Sequence, residues 1–155
     1  YFAAGLSITA GYHRLFAHKG YEAHPVVQFL FLFFGAGAFQ NSALKWCTDH
    51  RVHHVNVDNE DDPYNINRGF WYAHMGWILK EGNPKDFSHL ARDLSNNKLI
   101  QWQHRHAFWL GVLSGVALPT LVGWAFGSAL GGFAIGGMLR ICVVHHATFF
   151  IKRAF

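Results

Sequence analysis

Twelve of the 155 residues are histidines, and two groups of them are spaced like metal ligands. His13 and His18 form H-x-x-x-x-H, and His50, His53 and His54 form H-R-V-H-H. On an α-helix, offsets of three and four residues share a face, so the second group directs three imidazoles toward one point. Three neutral ring nitrogens converging there suit iron, copper, zinc or nickel. The first pair is different. Five residues turn about 140° around an α-helix, so His13 and His18 reach one metal cluster only where the helix ends or unwinds between them. Gly11 and Gly20 bracket that stretch. His24, His74, His89, His104 and His106 stand singly and read as interfacial or polar core groups.

Two metal classes fail on the letters. A carboxylate di-iron bundle needs Glu-x-x-His pairs, yet Glu22, Glu60 and Glu81 are each followed three residues later by proline. A zinc protease of the H-E-x-x-H kind needs a histidine before a glutamate, and none occurs. Cys47 and Cys142 form no C-x-x-C, which removes zinc ribbons and thioredoxin-like redox chemistry. A histidine-rich site at the cytoplasmic end of membrane helices remains.

The elements that must position these residues are membrane elements. Hydrophobic residues make up 51% of the chain and charged ones only 14%, against roughly 25% charged in soluble domains. The stretches Tyr1 to Tyr12 and Ala107 to Leu139 carry no Lys, Arg, Asp or Glu. Ala107 to Phe126 is long enough for one crossing, with Pro119 tolerated as a kink. After a Gly127-Ser128 turn, Ala129 to Val144 returns, with Arg140 snorkelling to the interface. Tyr1 to Tyr12 is too short to span and reads as the cytoplasmic end of a membrane helix. No initiator Met or cleavage signal marks the start, so the chain reads as a piece of a longer protein.

Between these segments, Ser42 to His54 reads as helix, Asn56 to Arg68 as a polar loop closed by Asp62-Pro63, and Gly69 to Leu79 as an aromatic interfacial stretch. Lys80 to Gln103 is polar and cytoplasmic by the positive-inside rule. Val26 to Leu44 has the hydropathy of a span. One crossing there would hold the two histidine groups about 30 Å apart, so it is predicted to be interfacial or re-entrant. A nucleic-acid surface is excluded, because the basic residues form no dense stripe and the aromatics sit in apolar runs.

Longer runs carry a resemblance. T9-A-G-Y-H13-R-L-F-A-H18, A38-F-Q-N-S-A-L-K-W46, D49-H-R-V-H-H54, D62-P-Y-N, R68-G-F-W-Y-A-H-M-G-W77, Q103-H-R-H and L139-R-I-C-V-V-H-H-A-T148 resemble, in order, the membrane fatty acyl desaturases of the stearoyl-CoA desaturase type. The resemblance implies an all-α integral membrane helical domain, with interfacial helices carrying histidine boxes beneath a transmembrane helical hairpin. Residues 1–155 would be part of one such domain, truncated at both ends. It implies two iron ions (Fe2+) held by histidines that include His13, His18, His50, His53 and His54, on the cytoplasmic side. It implies O2 as co-substrate, a saturated acyl-CoA as substrate and a cis double bond, at the delta-9 position, as outcome. Gln40, Asn41 and Trp46 resemble residues along the acyl tunnel and thioester, Thr148 one at the tunnel's bend, and Asp49 one near the CoA nucleotide.

The chemistry fits such an assignment. Removing hydrogen from an unactivated methylene needs an oxidant that side chains cannot supply. No flavin, haem or iron–sulfur motif occurs, so the electrons are expected from a separate carrier of the cytochrome b5, ferredoxin or rubredoxin type. The departures matter too. The family's Asn-Ser-x-x-His element and its third box, H-N-x-H-H, are missing, so the 155 residues alone are expected to be inactive. Basic residues near the CoA phosphates are unmatched at Thr48 and Glu81. An acyl carrier protein or a lipid-linked acyl chain therefore stays open as head group. A related histidine-box hydroxylase and a membrane metal-binding protein without enzymatic activity stay open as alternatives. His145 and His146 are not usual ligand positions and read as groups behind the ligands or at the interface.

Overall fold

Glycine at position 37 marks where the chain turns from its first apolar helix toward the second histidine group. The computed structural model describes residues 1–79 and 86–154, and Glu81 lies outside the described residues. Helix α1 (Phe2–Leu6) runs directly into a wide π-wound stretch, π1 (Ser7–Ala17). Helix α2 (Pro25–Ala36) starts with proline at its first turn, behind His24, whose Nδ1 accepts from Val26 N at 3.3 Å. Its 12 residues reach about 18 Å, too short for a hydrocarbon core of about 30 Å. The chain then reverses through a turn with positive φ at Phe39 and Asn41, φ 55° and 72°. A Cβ on Gly37 would stand 2.7 Å from Ser114 Oγ and 3.0 Å from Gly115 N, so only glycine lets the turn approach the hairpin this closely. Val26 to Leu44 is thus no single span but α2, a turn and the first two residues of the next helix, as the shared position of the histidine groups requires.

Ser42 caps α3 (Ala43–Val55), its Oγ accepting from Lys45 N at 3.2 Å. The polar loop follows, then the short α4 (Phe70–His74) and α5 (Arg92–Ser95). Asn97 Oδ1 caps α6 (Lys98–Val112) by accepting from Leu99 N at 2.9 Å. Helix α6, the π-wound π2 (Leu113–Ala117) and α7 (Leu118–Ala125) form one continuous rod, and α8 (Ala129–Gly131), π3 (Gly132–Leu139) and α9 (Arg140–Ala154) form its antiparallel partner. Among the described residues these hold the two helices long and apolar enough to cross a membrane, Lys98–Ala125 and Ala129–Phe150. Their large apolar side chains mostly point outward, with Trp109 70% and Phe126 88% exposed, which distinguishes them from core helices of a water-soluble protein. Both rods outrun the predicted arms, because their polar ends pack on the rest of the chain.

Inside the hairpin, Gly123 and Gly132 meet so closely that a Cβ on Gly123 would lie 2.5 Å from Gly132 Cα. Pro119 has no N–H for the Gly115 carbonyl four residues back. Arg140 Nη2 donates to that carbonyl at 3.0 Å and to Gly37 O at 2.9 Å, while its Nε donates to Gly136 O at 2.9 Å. The expected snorkelling of Arg140 is therefore replaced by a clamp that fastens the α2 turn to both rods. The core gathers Tyr12, Leu32, Cys47, Ile100 and Val144 from five elements. Buried Gln103 ties three of them, donating from Nε2 to Tyr12 Oη at 2.9 Å and accepting from Ala43 N at 3.1 Å. Among the described residues the fold is all-α.

Candidate metal centre

His13 ends up beside His18 for a reason the α-helical wheel does not contain. Stretch π1 stays helical through Ala17, and His18 N donates to His13 O at 3.0 Å, a bond spanning five residues. In that register five residues make roughly one turn, so the two side chains stack on one face. Of the two expected alternatives, ending or unwinding, the chain takes the second: the helix widens rather than ends. Helix α3 brings the other partners, with His50 and His54 one turn apart on the face toward π1.

The four rings converge. His18 Nε2 lies 3.1 Å from His13 Nε2 and 3.0 Å from His50 Nε2, and His54 Nε2 lies 3.0 Å from His50 Nε2. The ligand atoms of all four lie within 4.8 Å of one another. Each ring nitrogen has one in-plane position, filled by a proton or a lone pair. Proton sharing cannot satisfy this chain, because His18 Nε2 and His50 Nε2 each face two other nitrogens. A cation among four lone pairs satisfies all of them. Imidazole nitrogens about 2.1 Å from a first-row ion and at right angles stand about 3.0 Å apart, the spacing found here. Burial, with His18 and His53 alongside, holds His54 below the ordinary histidine range and favours its neutral, ligating form.

His53 points elsewhere. Its Nδ1 donates to Asp62 Oδ1 at 2.8 Å, and its ring centre lies 6.4 Å from that of His50. An offset of three residues falls on the other side of His50's meridian from an offset of four, and Asp62 holds the ring there. The carboxylate fixes the proton on Nδ1 and leaves the lone pair on Nε2, the usual arrangement behind a metal-ligating histidine. Burial pulls the Asp62 carboxyl upward, but hydrogen bonds from His53 and from Tyr64 N and Asp58 N outweigh it and hold it below the usual range. His53 lines the same cavity as the other four but stands beside the cluster, its ring centre 5.6 Å from that of His54, so of the three boxed side chains two converge and the third does not. In the sequence Asp62 stood in a turn and in the D62-P-Y-N run, with no role assigned to it. Its partnership depends on the path of the Asn56 to Arg68 loop.

Three of the residues named for substrate form one hydrogen-bonded unit. Trp46 Nε1 donates to Gln40 Oε1 at 3.2 Å, and Gln40 Nε2 donates to Thr148 Oγ1 at 2.9 Å. Trp46 and Thr148 line the histidine cavity, about 790 Å³. Gln40, Asn41, Trp46 and Asp49 line a second cavity of about 940 Å³ that also takes in Arg68 and Tyr72. Asp49 pairs with Lys45 one turn earlier on α3. His145 and His146 lie outside the cluster: His145 Nε2 is 3.2 Å from Phe39 O, and His146 Nδ1 is 3.0 Å from His74 Nε2.

An all-α fold with a hairpin of membrane-spanning length and an imidazole cluster opening on a cavity fits one class: membrane proteins whose histidines can hold a metal. The comparisons narrow it. The chain is 41% identical, over 98% of its length, to acyl-CoA desaturase 1 of Saccharomyces cerevisiae, covering 30% of that protein. It is 36% identical over 99% of its length to a delta(9)-fatty-acid desaturase of Caenorhabditis elegans, covering 47% of it. It is 34% identical over 99% of its length to human stearoyl-CoA desaturase, covering 45% of it. No family model matches the chain. Over nearly its whole length the chain is thus similar to curated acyl-CoA desaturases, and it spans about a third to a half of the length of those relatives.

Proposed function

We propose that the whole protein is a fatty acyl desaturase, an oxidoreductase that inserts a cis double bond, at the delta-9 position, into a saturated acyl chain carried by coenzyme A. The observation that carries this reading is the convergence of His13, His18, His50 and His54 on a cavity whose wall includes Trp46 and Thr148. These four residues and His53 are the proposed ligands of two iron ions, completed by ligands from the remainder of the protein. Iron bound there supplies, with O2 and two electrons, the oxidising power that no side chain has. Overall, one CH2–CH2 unit loses two hydrogens, O2 takes up two electrons and two protons besides, and two waters leave.

The chain's own residues bind, orient and exclude water. Asp62 keeps His53 in the tautomer whose lone pair faces the cavity. The Gln40 to Trp46 to Thr148 unit stands between the histidine cavity and the second cavity, where it can fix how far an acyl chain passes the metal and so which carbon reacts. Its polar atoms bond one another, which leaves the apolar faces of Trp46 and Thr148 for the chain and gives water nothing to hold. Asp49, in the second cavity, suits the head-group end. The hairpin's exposed apolar surface seats the domain in lipid, and the histidine groups lie on the cytoplasmic side, where a separate electron-transfer protein delivers electrons.

The test uses the full-length protein in membranes, with a saturated acyl-CoA, O2 and an electron-transfer system. The expected product is the cis-monounsaturated acyl chain, with two irons per protein in the active preparation. A hydroxylated product, an unchanged acyl pool from iron-loaded protein, or zinc or copper in place of iron overturns the reading.

A further inference from the structure

One side chain outside the ligand set fastens both histidine groups at once. Arg51 follows His50 on α3, and its guanidinium has five N–H donors. Nε donates to Ala17 O at 2.9 Å and Nη2 to Phe16 O at 2.9 Å. These are the last two carbonyls of π1, immediately before His18. Nη1 donates to Leu90 O at 2.7 Å, and the guanidinium grips Asp93 at both oxygens, 2.7 Å from Nη1 and 3.1 Å from Nη2. All five donors are therefore directed at acceptors, and the Arg51 side chain is only 17% exposed. Lys19 adds a second cation to Asp93 at 3.0 Å.

We infer that Asp93, acting through Arg51, is a positioning residue that holds His18 in register with His50 and His54. The inference rests on the metal-centre reading above. The geometry sets the argument. His18 is the middle of the nitrogen cluster, facing both His13 and His50, yet it sits at the C-terminal end of π1, where no further helical turn restrains it. Arg51 supplies the restraint by capping the carbonyls of that end. A guanidinium this enclosed keeps such a posture only while a counter-charge sits on its far side. Asp93 provides that charge from α5, an element with no ligand of its own. Without it, the guanidinium turns toward water, the Phe16 and Ala17 carbonyls are released, and His18 is free to swing out of line. The bidentate fork also sets orientation, which a single point charge does not.

The experiment uses the full-length protein, purified without metal and titrated with Co2+, whose visible ligand-field band reports histidine coordination. The parent and Asp86→Asn, which removes an acid bonded to Ser88 and not to Arg51, are expected to fill alike. Asp93→Asn is expected to need at least about 10-fold more Co2+ for half-filling, with an altered band, and Asp93→Glu to recover most of the loss. Asp93→Asn is nearly isosteric and carries the test if Asp93→Ala does not fold. Parent-like affinity and an unchanged band for Asp93→Asn, even with a lower melting temperature, overturn the inference and leave Asp93 a purely structural residue. A parent that shows no histidine-type band defeats the metal-centre reading instead, so the two failures are distinct.

Discussion

His18 and His50 are 32 residues apart in the chain, and their Nε2 atoms are 3.0 Å apart in the fold. That contact joins the end of π1 to the middle of α3 and makes one site of two sequence motifs. It depends on the reversal at Gly37 to Ser42, which returns α3 alongside π1 instead of carrying it across a bilayer.

Because His18 Nε2 faces two other imidazole nitrogens, its loss opens the cluster at the centre. His18→Ala in the full-length protein is expected to lower iron content and turnover by more than about 100-fold, beyond the range for groups behind the ligands. Metal analysis and product assay of the same preparation check this. Retention of iron and turnover would place the metal elsewhere.

Asp62 holds His53 from behind, and its effect should be graded rather than absolute. Asp62→Asn is expected to weaken metal retention by about 10- to 100-fold while the helices stay folded. Circular dichroism and iron stoichiometry, read together, separate loss of the site from loss of the loop. An unchanged iron content in Asp62→Asn contradicts the role given to it.

Thr148 accepts from Gln40, which accepts from Trp46. Thr148→Val removes the hydroxyl while keeping the volume, so the Gln40 amide must turn and the wall between the cavities loosens. The expected result is a changed distribution of product chain lengths or double-bond positions, with kcat on the parent's best substrate falling more than KM rises. An identical product profile removes Gln40 and Thr148 from substrate positioning.

Arg140 illustrates a stability prediction separate from the chemistry. Replacing it with leucine leaves the carbonyls of Gly37, Gly115 and Gly136 without this donor. A cost of about 2–3 kcal/mol follows from the usual worth of hydrogen bonds to a charged group. Thermal melts of the detergent-solubilised protein read it directly.

The Asp93 carboxyl is held well below the usual range by hydrogen bonds from Arg51, against the opposing pull of burial, with Lys19 assisting. An unfolded chain binds that proton more readily, with a pKa near 3.9. Its stabilising contribution is therefore complete above about pH 4 and is lost as pH falls from there through the lower folded value. Melting curves between about pH 3 and pH 6 should show a steeper acid-side decline in the parent than in Asp93→Asn. Equal slopes contradict the assignment.

Much of this architecture was legible in the letters. The uncharged run from Ala107 to Leu139 announced a hairpin, and its Gly127-Ser128 turn falls where expected. Ser42 marked the start of α3, and the need to unite two histidine groups forbade a crossing between them. The winding of π1 was not legible, since nothing in its residue types separates a five-residue hydrogen-bond register from a four-residue one. The five-residue spacing of His13 and His18 called for a helix that ends or unwinds, and of these two the chain takes the second, by widening to the π register. Asp62 and Asp93 were missed for a different reason: each acts through a partner brought near by tertiary folding, and an isolated aspartate in a polar segment carries no periodic signal. The clamp role of Arg140 was equally hidden, because its acceptors are three glycine carbonyls on separate elements.

The most direct test of the central claim is anomalous scattering at the iron edge from crystals of the active full-length protein. The account predicts a peak within bonding distance of the Nε2 atoms of His13, His18, His50 and His54. An iron peak away from these four nitrogens, in protein that still desaturates, would contradict it.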